Sequence, residues 1–507
     1  MQPVRSAQVF QRLSAILSLI GRSMALGQKM SRMGQFGRWK AGCAVLLLCA
    51  AAAIASPAQT FTTLHKFSVT DGDKPQDSLV QGFDGDFYGT TYYGGAHNFG
   101  TVFKITSTGT LTTLYSFCVQ TGCTDGKYPG ANLVQGTDGN FYGTTNYGGV
   151  YNGGEVFKIT PAGTLTVLYN FCSLAECTDG QGPYTGLIQA TDGNFYGTTH
   201  SGGTYFDGTV FKITPAGVLT KLYSFCQLTG CPDGRTPTAG LVQASDGNLY
   251  GSTSVNGANG YGTIFKITTA GVLTTLYSFC AETACTDGKL PGGLIQAADG
   301  NLYGTAGGGA YDQGTVFKIT TAGALTTLYS FCPLTGCADG SDPRAGVIQA
   351  TDGNFYGTTY LGGAHFDEGT IFKITPAGTL TTLYSFCALS GCPDGGELNA
   401  GLVQGTDGSF YGTTYFGDGT VFNLATGLKA FVETRPTSGK VGAKVIILGT
   451  GLAGATGVSF NGTVATFTVV SGSEIKTTVP AGATTGKVKV TTSHSTLSSN
   501  VAFRVKP

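Results

Sequence analysis

The sequence predicts an all-β protein, a seven-bladed β-propeller followed by a small Ig-like β-sandwich. Three observations predict this: a unit of about 53 residues recurs seven times, each copy reads as four short strands, and a tail rich in Val and Thr follows. Only 11% of the 507 residues are charged and 41% are hydrophobic. This composition excludes a disordered chain, and the 81 glycines show no three-residue period, which excludes collagen.

The first 58 residues have the composition of an export signal. They carry seven basic residues and no acidic one, an apolar run from Ala41 to Ala55, and then the small residues Ser56-Pro57-Ala58. This is the order of a secretory signal peptide and its cleavage site. The run is about 15 residues long, short of the roughly 20 of a membrane span. A retained anchor is the alternative. We expect a secreted or cell-surface chain that begins at Gln59 and has no transmembrane span.

Two motifs define the repeats in residues 59–427. They are Gly-Thr-Val-Phe-Lys-Ile-Thr, first seen at 100–106, and Asp-Gly-x-(Phe/Leu)-Tyr-Gly, first seen at 84–89. In the copy at 131–171, turn signals at 137–140 and 161–163 separate four predicted strands. We letter these strands A (131–136), B (141–145), C (155–160) and D (164–171). Four antiparallel strands in about 53 residues make one propeller blade.

The two ends of the array complement each other. It begins with a lone D-type strand at 60–67 and ends with a C-type strand at 419–424. The first strand can therefore complete the last blade and close the ring, which leaves no open sheet edge. An open β-solenoid is the alternative, but it does not need complementary ends.

Six cysteine pairs follow the D strands, one in each D–A loop from the second blade onward. The even number, the constant spacing and the export signal predict six local disulfides. Zinc is excluded because each loop offers two thiols and no adjacent His, whereas zinc needs four ligands. Each loop also has one Asp, for which capping of the loop is preferred over a Ca²⁺ site. No metal and no cofactor are predicted. The predicted pairs are Cys118 with Cys123, Cys172 with Cys177, Cys226 with Cys231, Cys280 with Cys285, Cys332 with Cys337, and Cys387 with Cys392.

Candidate ligand-binding residues lie in the variable B–C loops, which share one face of the propeller with the D–A loops. Aromatic rings beside carboxylates suit stacking on sugars and contacts with proteins. The alternative is that these residues only pack the loops together. The candidates are Tyr92, Tyr93, Tyr147, Tyr151, Tyr205, Phe206, Asp207, Tyr311, Tyr360, His365, Phe366, Asp367 and Tyr415. A glutamine that recurs on every A strand is expected either to line the channel or to bond to neighbouring backbone.

No catalytic constellation is present in the sequence. The five His are scattered, and none recurs near a Ser or Cys nucleophile. After residue 58 there are 22 basic and 29 acidic residues, which argues against a nucleic-acid partner. We therefore predict a protein that is not an enzyme and has no catalytic residues.

Two family resemblances add to these predictions. Asp-Gly-Asn-Phe-Tyr-Gly-Thr-Thr at 138–145 and Gly-Thr-Val-Phe-Lys-Ile-Thr at 100–106 resemble the GloVer tandem repeat of bacterial exported proteins. Within 428–507, the segments 436–439, 449–452, 458–462 and 479–483 resemble an IPT/TIG domain, which implies an Ig-like spacer or contact module. Neither family implies an activity or a catalytic residue.

The preferred function is therefore an exported, non-catalytic binding or adhesion protein. Its ligand is expected to be a glycan or a protein bound on the loop face of the propeller. The alternatives are an extracellular enzyme acting on polysaccharide and a structural cell-surface protein.

Overall fold

The computed structural model describes residues 59–333, 335–365 and 367–507. The predicted signal peptide lies outside these residues. The described chain forms seven four-stranded antiparallel sheets, the blades, and one nine-stranded sheet near the C-terminus. This architecture confirms the predicted fold class. None of the helices within the described ranges is long and apolar enough to cross a membrane.

The blade strands follow one pattern: a short inner A strand, then strands B, C and D. β1 (Thr60–Lys66) precedes the first complete blade. Blades 1–4 are β2 Val80–Gln81, β3 Phe87–Thr91, β4 Thr101–Ile105, β5 Leu111–Ser116; β6 Val134–Gln135, β7 Phe141–Thr145, β8 Glu155–Ile159, β9 Leu165–Asn170; β10 Ile188–Gln189, β11 Phe195–Thr199, β12 Thr209–Ile213, β13 Leu219–Ser224; and β14 Val242–Gln243, β15 Leu249–Thr253, β16 Thr263–Ile267, β17 Leu273–Ser278. Blades 5–7 are β18 Lys289–Gln296, β19 Leu302–Gly307, β20 Thr315–Ile319, β21 Leu325–Ser330; β22 Ile348–Gln349, β23 Phe355–Thr359, β24 Thr370–Ile374, β25 Leu380–Ser385; and β26 Val403–Gln404, β27 Phe410–Thr414, β28 Thr420–Ala425.

The core of the propeller lies between neighbouring blades. Every residue of the B strand Phe141–Thr145 is buried. Its Tyr142 stacks on Phe195 of the next blade, with ring centroids 4.0 Å apart. A Cβ on Gly143 would lie 2.6 Å from the ring of Phe157, so only glycine fits between the strands. The contact between the glycine and the Phe of strand C recurs in all seven blades, and the stack of tyrosine on a Phe of the next blade recurs in five, which explains why the B and C motifs vary so little.

The first strand closes the ring as predicted. β1 pairs antiparallel with β28, from Thr60 opposite Ala425 to Lys66 opposite Thr420. Phe61 on β1 stacks on Tyr384 of the sixth blade with centroids 4.1 Å apart. The seventh blade is therefore built from both ends of the array, which closes the ring of seven blades.

The recurring A-strand glutamines join neighbouring blades through the backbone. In each blade the glutamine Oε1 accepts a hydrogen bond from an A–B turn N–H of the preceding blade. Its Nε2 donates to a glycine carbonyl of its own turn, as Gln81 does to Gly85. The sequence left two roles open for these glutamines, to line the channel or to bond to neighbouring backbone. Their contacts show the second role.

Replacing Gln81 with Ala is expected to lower the free energy of unfolding by about 1–3 kcal/mol, because it leaves the buried N–H of Thr406 without its partner. Gln243→Ala is the matched control. It frees an exposed N–H, that of Thr191, and should cost less than about 1 kcal/mol. Urea denaturation of both variants measures the difference. Equal losses would contradict a special role for the closing contact.

A second sheet follows the propeller. Its strands are β29 Val432–Arg435, β30 Ser438–Gly439, β31 Lys444–Gly449, β32 Ala455–Phe460, β33 Thr463–Ala465, β34 Phe467–Val469, β35 Glu474–Thr478, β36 Gly486–Thr492 and β37 Thr496–Val505. They enclose a separate apolar core that includes Ile447, Phe460 and Phe503. This domain contacts the first blade, where the hydroxyl of Ser473 donates to the carbonyl of Phe83 at 2.8 Å.

All six predicted cysteine pairs form disulfides. Short 3₁₀ turns at Thr121–Cys123, Ala175–Cys177 and Thr283–Cys285 carry the second cysteine of three pairs, and a fourth turn lies at Leu452–Gly454. In the other three pairs the second cysteine lies outside any helix. These pairs are Cys226 with Cys231, Cys332 with Cys337, and Cys387 with Cys392. Cys231, Cys337 and Cys392 have the same left-handed backbone as their counterparts, with φ of 50°, 45° and 46°, so the loop geometry is shared.

The loop aspartates are loop caps. The Asp125 carboxylate, for example, accepts hydrogen bonds from the Tyr115 hydroxyl at 2.7 Å and the Val119 N–H at 3.0 Å. In the cysteine-free first loop, Asp71 instead accepts from Ser68 N–H and contacts His65 at 3.0 Å. Side-chain hydrogen bonds therefore hold the one loop that has no disulfide.

Candidate functional site

A cavity of about 570 Å³ lies on the propeller axis, at the face that carries the B–C and D–A loops. Every blade contributes to its wall through the segment that enters strand A. The lining includes Asp77, Asn132, Tyr184, Thr238, Gly292, Arg344 and Asn399, one from each blade in order. The seven units are otherwise repeats of one another. The chemistry of the cavity wall therefore depends on the lining residues that differ between them.

One loop position repeats around the mouth of the cavity, and we call its occupants the latch residues. In every blade this residue has a left-handed backbone, with φ between 50° and 63°. Its N–H donates to the carbonyl that ends the B–C loop of the preceding blade; Tyr128 N–H, for example, donates to Phe99 at 2.8 Å. The latch residues are Lys74, Tyr128, Gly182, Thr236, Leu290, Asp342 and Glu397.

The latch side chains differ in every blade although the backbone is the same. A left-handed backbone favours glycine, and a residue with a Cβ costs roughly 1 kcal/mol or more there. Six of the seven copies nevertheless carry a larger side chain, including the β-branched Thr236. The residue that follows strand B also differs between blades. It is Tyr92 in the first blade, Asn146 in the second and His200 in the third. The repeats therefore keep their scaffold constant and vary the residues around the mouth.

Five tyrosines form a continuous row on one side of this mouth, and we call them the tyrosine row: Tyr92, Tyr93, Tyr128, Tyr147 and Tyr184. Tyr92 stacks on Tyr128 with centroids 5.1 Å apart, and Tyr93 meets both rings edge-on at 4.8 and 5.4 Å. Tyr128 lies 6.3 Å from Tyr147, whose hydroxyl is 2.6 Å from that of Tyr184. Tyr184 also lines the cavity, so the row runs from the outer surface to the cavity wall.

The row combines exposed rings with hydroxyls held in place. Tyr93 and Tyr147 are 36% and 38% exposed. Burial raises the pKa of Tyr92, and burial followed by the contact with Tyr147 raises the pKa of Tyr184, so both stay neutral at physiological pH. His200 lies 5.0 Å from Tyr184 at the inner end of the row, and burial lowers its pKa. The row is thus an uncharged, hydrogen-bonding aromatic surface.

Charged groups lie at the sixth blade and also beside the row at the first blade, where the Lys74 carbonyl accepts from the N–H of Tyr92 at 3.1 Å. The Arg344 guanidinium lies 3.3 Å from the ring centre of Tyr360 and also binds Asp342 at 2.8 Å. Lys74 lies over the ring of Tyr415 at 4.2 Å. Asp77 lines the cavity, and its Oδ2 is buried with no hydrogen-bond partner. Burial raises the pKa of this carboxyl to about 7.

The structure separates the candidates predicted from the sequence into an inner and an outer group. Tyr92, Tyr93 and Tyr147 belong to the tyrosine row, and Tyr360 and Tyr415 stack under basic groups at the mouth. The outer group lies at loop tips or in contact with its own loops. Six of its members are exposed: Tyr151, Tyr205, Phe206, Tyr311, His365 and Asp367. The seventh, Asp207, lies 3.7 Å from Arg235. Phe366 lies outside the described residues.

Sequence analysis missed four residues of the mouth: Tyr128, Tyr184, Arg344 and Asp77. All four lie in D–A loops, whereas the candidates were chosen from B–C loops only. The signal was present, since these loops differ between copies as much as the B–C loops do. For metals, the described residues contain one group of three ligand-type side chains, Asp207, Cys226 and Cys231, but its two sulfurs are joined in a disulfide.

Comparison with known families agrees with the geometry. The model of the Gloeobacter/Verrucomicrobia repeat matches residues 52–177, 172–307 and 281–467. The chain belongs to this repeat family. An IPT/TIG domain matches residues 432–505, which makes the C-terminal sheet an Ig-like module. No curated protein matches the chain.

Two solved structures resemble the chain at low sequence identity. The extracellular domain of a hybrid two-component system from B. thetaiotaomicron has a TM-score of 0.49 and 12% identity, and the match covers 89% of this chain. A puromycin hydrolase has a TM-score of 0.45 and 11% identity over 76% of this chain. The chain spans 60% of the length of each.

Proposed function

We propose that this protein is an exported, non-catalytic binding protein that holds a carbohydrate chain on the tyrosine row at the mouth of the propeller. The observation that carries the proposal is the continuity of the row, from the exposed Tyr93 to Tyr184 in the cavity wall. A flat apolar ring accepts the C–H face of a sugar, while a hydroxyl at its edge exchanges hydrogen bonds with the sugar hydroxyls. Several such rings in sequence suit a polymer better than a single small molecule.

The distribution of differences between the repeats supports a ligand at this place. Residues that build a blade are the same in nearly every copy, whereas the latch position holds seven different residue types on a strained backbone. Backbone strain at residues other than glycine is found at functional sites. Loops on a rigid scaffold are also where binding residues concentrate.

The disulfides support export. Six disulfides in one chain are typical of proteins that fold in an oxidising compartment. The predicted signal peptide leads to the same compartment. An IPT/TIG module beside the propeller suits a protein that presents its binding face at a distance from its attachment point.

One observation favours the enzyme alternative, a polysaccharide hydrolase. Asp77 has a raised pKa and lines the cavity, as a general acid would. Glycoside hydrolysis needs a second carboxylate across the bond. Among the described residues that line the cavity, the other carboxylate is Asp342, which is paired with Arg344. This pairing makes it a poor nucleophile, so we place binding first.

A pull-down with cellulose, chitin, xylan and peptidoglycan tests the proposal, using the oxidised protein. Changing both Tyr147 and Tyr184 to Ala is expected to weaken binding by roughly tenfold or more, because each ring contributes about 1 kcal/mol to stacking. The matched control is Tyr205→Ala with Phe206→Ala, which removes two exposed rings of the outer group. This control should bind as the unchanged protein does.

Three results would count against the proposal. If the protein binds none of the four polymers, a carbohydrate ligand is rejected in favour of a protein ligand. If the control variant loses as much affinity as the row variant, the site lies at the loop tips. Release of soluble sugar during the incubation would favour the enzyme, and loss of that release in Asp77→Asn would assign the activity to this cavity.

A further inference from the structure

In the second blade, strand C begins with a buried carboxyl group, which no other blade has at this position. Strand C begins with Thr in the six other blades, and in five of them its hydroxyl lies 2.8–2.9 Å from a Thr hydroxyl at the end of strand B. In the second blade this residue is Glu155. Its exposed fraction is 0%, and neither carboxyl oxygen has a hydrogen-bond partner.

The cross-strand neighbour of Glu155 has changed as well. The residue opposite the strand-C threonine is a serine in five blades and, in the closing blade, Lys66. Opposite Glu155 it is Asn170. The second blade therefore replaces two hydroxyls with a carboxyl and an amide at one place. The Asn170 Oδ1 accepts from the N–H of Val150 at 2.8 Å, as the serine hydroxyls do from the corresponding loop N–H, so the added oxygen is that of Glu155.

The carboxyl group lies among oxygen atoms in the space between the D–A and B–C loops that the missing side chains of Gly126 and Gly149 leave for it. Its Oε1 lies 2.6 Å from where a Cβ of Gly126 would be, beside the Thr145 hydroxyl. Its Oε2 and the Asn170 Oδ1 both approach the Cβ position of Gly149, at 3.3 and 2.5 Å. In three other blades the strand-C threonine donates to the carbonyl of the loop aspartate, so the equivalent carbonyl of Asp125 faces this space too.

The carboxyl groups of Asp125 and Glu155 have no positively charged partner among the described residues. The Asp125 carboxylate is also buried, and it is held by hydrogen bonds from Tyr115, Val119 and Gln120. In the described part of the chain neither Asp125 nor Glu155 forms an ion pair with Lys, Arg or His. A buried carboxylate without a partner is strongly destabilising, whereas a hard cation with oxygen ligands removes that cost. Carboxylate, amide, hydroxyl and carbonyl oxygens are the ligands that Ca²⁺ prefers.

We propose that the second blade binds one Ca²⁺ ion through Glu155, with the Thr145 hydroxyl, the Asn170 amide oxygen and the Asp125 carbonyl as further ligands. The ion fastens the disulfide loop Cys118–Cys123 and the B–C loop to the blade that carries two of the five tyrosines of the row. Without a cation, burial and then Asp125 raise the pKa of Glu155 to about 9, so the group is a neutral acid. The site departs from the expectation, drawn from the sequence, that the protein holds no metal.

The repeats supply a matched control for this site. The double variant Glu155→Thr with Asn170→Ser restores the residues that five other blades already accommodate, so it is expected to fold. Isothermal titration calorimetry with CaCl₂ on the chelator-treated, oxidised protein should give one Ca²⁺ per chain. In the double variant and in Glu155→Gln, we expect binding to weaken by roughly 100-fold or more, because the only carboxylate ligand is lost.

Thermal unfolding gives a second readout. CaCl₂ should raise the Tm of the unchanged protein and leave that of the double variant where it is in EDTA. Either of two results would overturn the proposal. In the first, the unchanged protein binds no Ca²⁺, and Glu155 is then a buried neutral acid. In the second, the double variant binds Ca²⁺ as well as the unchanged protein does, and the ion then lies elsewhere.

Discussion

Raising the pH from 9 to about 11 will unfold the propeller in one cooperative step. Seven B-strand tyrosines are at most 2% exposed, and each donates a 2.7–2.9 Å hydrogen bond to the Asp that precedes its strand. They are Tyr88, Tyr142, Tyr196, Tyr250, Tyr303, Tyr356 and Tyr411. Burial, followed by the effect of the Asp, raises the pKa of each well above its ordinary value of 10.0.

The direction follows from linkage. A tyrosine that ionises less readily in the folded chain stabilises the fold fully below the unfolded pKa of 10.0, and that stability is lost as the pH rises above it. At pH 11 each of the seven loses about 1.4 kcal/mol, a total of about 10 kcal/mol. This is comparable with the whole stability of a typical domain.

Far-ultraviolet circular dichroism and tyrosinate absorbance, followed in one pH titration, check this result. Both signals should change together near pH 11. The variant Tyr250→Phe serves as a control, since it removes one ionising group and should make the pH dependence shallower. A gradual rise in tyrosinate absorbance up to pH 12, with unchanged circular dichroism, would contradict the prediction.

Deleting β1 (Thr60–Lys66) will abolish the cooperative folding of the propeller. The deletion leaves β28 as an open edge and removes Phe61, which packs on Tyr384, Phe386 and Phe422 at 4.1–5.4 Å. Loss of a fully paired strand and an aromatic anchor costs more than about 5 kcal/mol. A chain beginning at Gln59 is the control and should melt as the full-length protein does. Differential scanning calorimetry distinguishes them, and a sharp transition of unchanged Tm in the deletion variant would contradict the closure.

The repeated architecture could be predicted because it depends on many copies of one local pattern. Each copy offered the same turn signals and the same alternation of Phe, Tyr, Gly and Thr, so an error in one blade would not have changed the fold class. The short A strand is where the prediction was least accurate. Residues 131–136 were expected in strand A of the second blade, but only Val134–Gln135 pair, since the chain before them turns into the cavity wall. The fifth blade differs again, with a long A strand at Lys289–Gln296.

The site could be predicted in part. Sequence reasoning placed Tyr92, Tyr93 and Tyr147 on the face where the cavity opens, because strand direction fixes which loops share a face. It could not separate them from Tyr151 and Tyr205, because distance from the propeller axis has no signature in a single loop. Tyr128 and Tyr184 became visible only when the D–A loops were placed around the cavity. The sequence shows Glu155 where the other copies have Thr. It does not show that this side chain is completely buried.

Closure by β1 also sets an order of events for the growing chain. The six disulfides join cysteines only five positions apart, so each can form as soon as its own loop reaches an oxidising compartment. Residue 60 pairs with residue 425, so β1 leaves the ribosome before its partner strand has been synthesised. Until then it is an unpaired strand, open to pairing with a strand of another chain. The ring can therefore be completed only after the whole array has been delivered, and a chain interrupted in the last repeat would expose an unpaired edge at both ends.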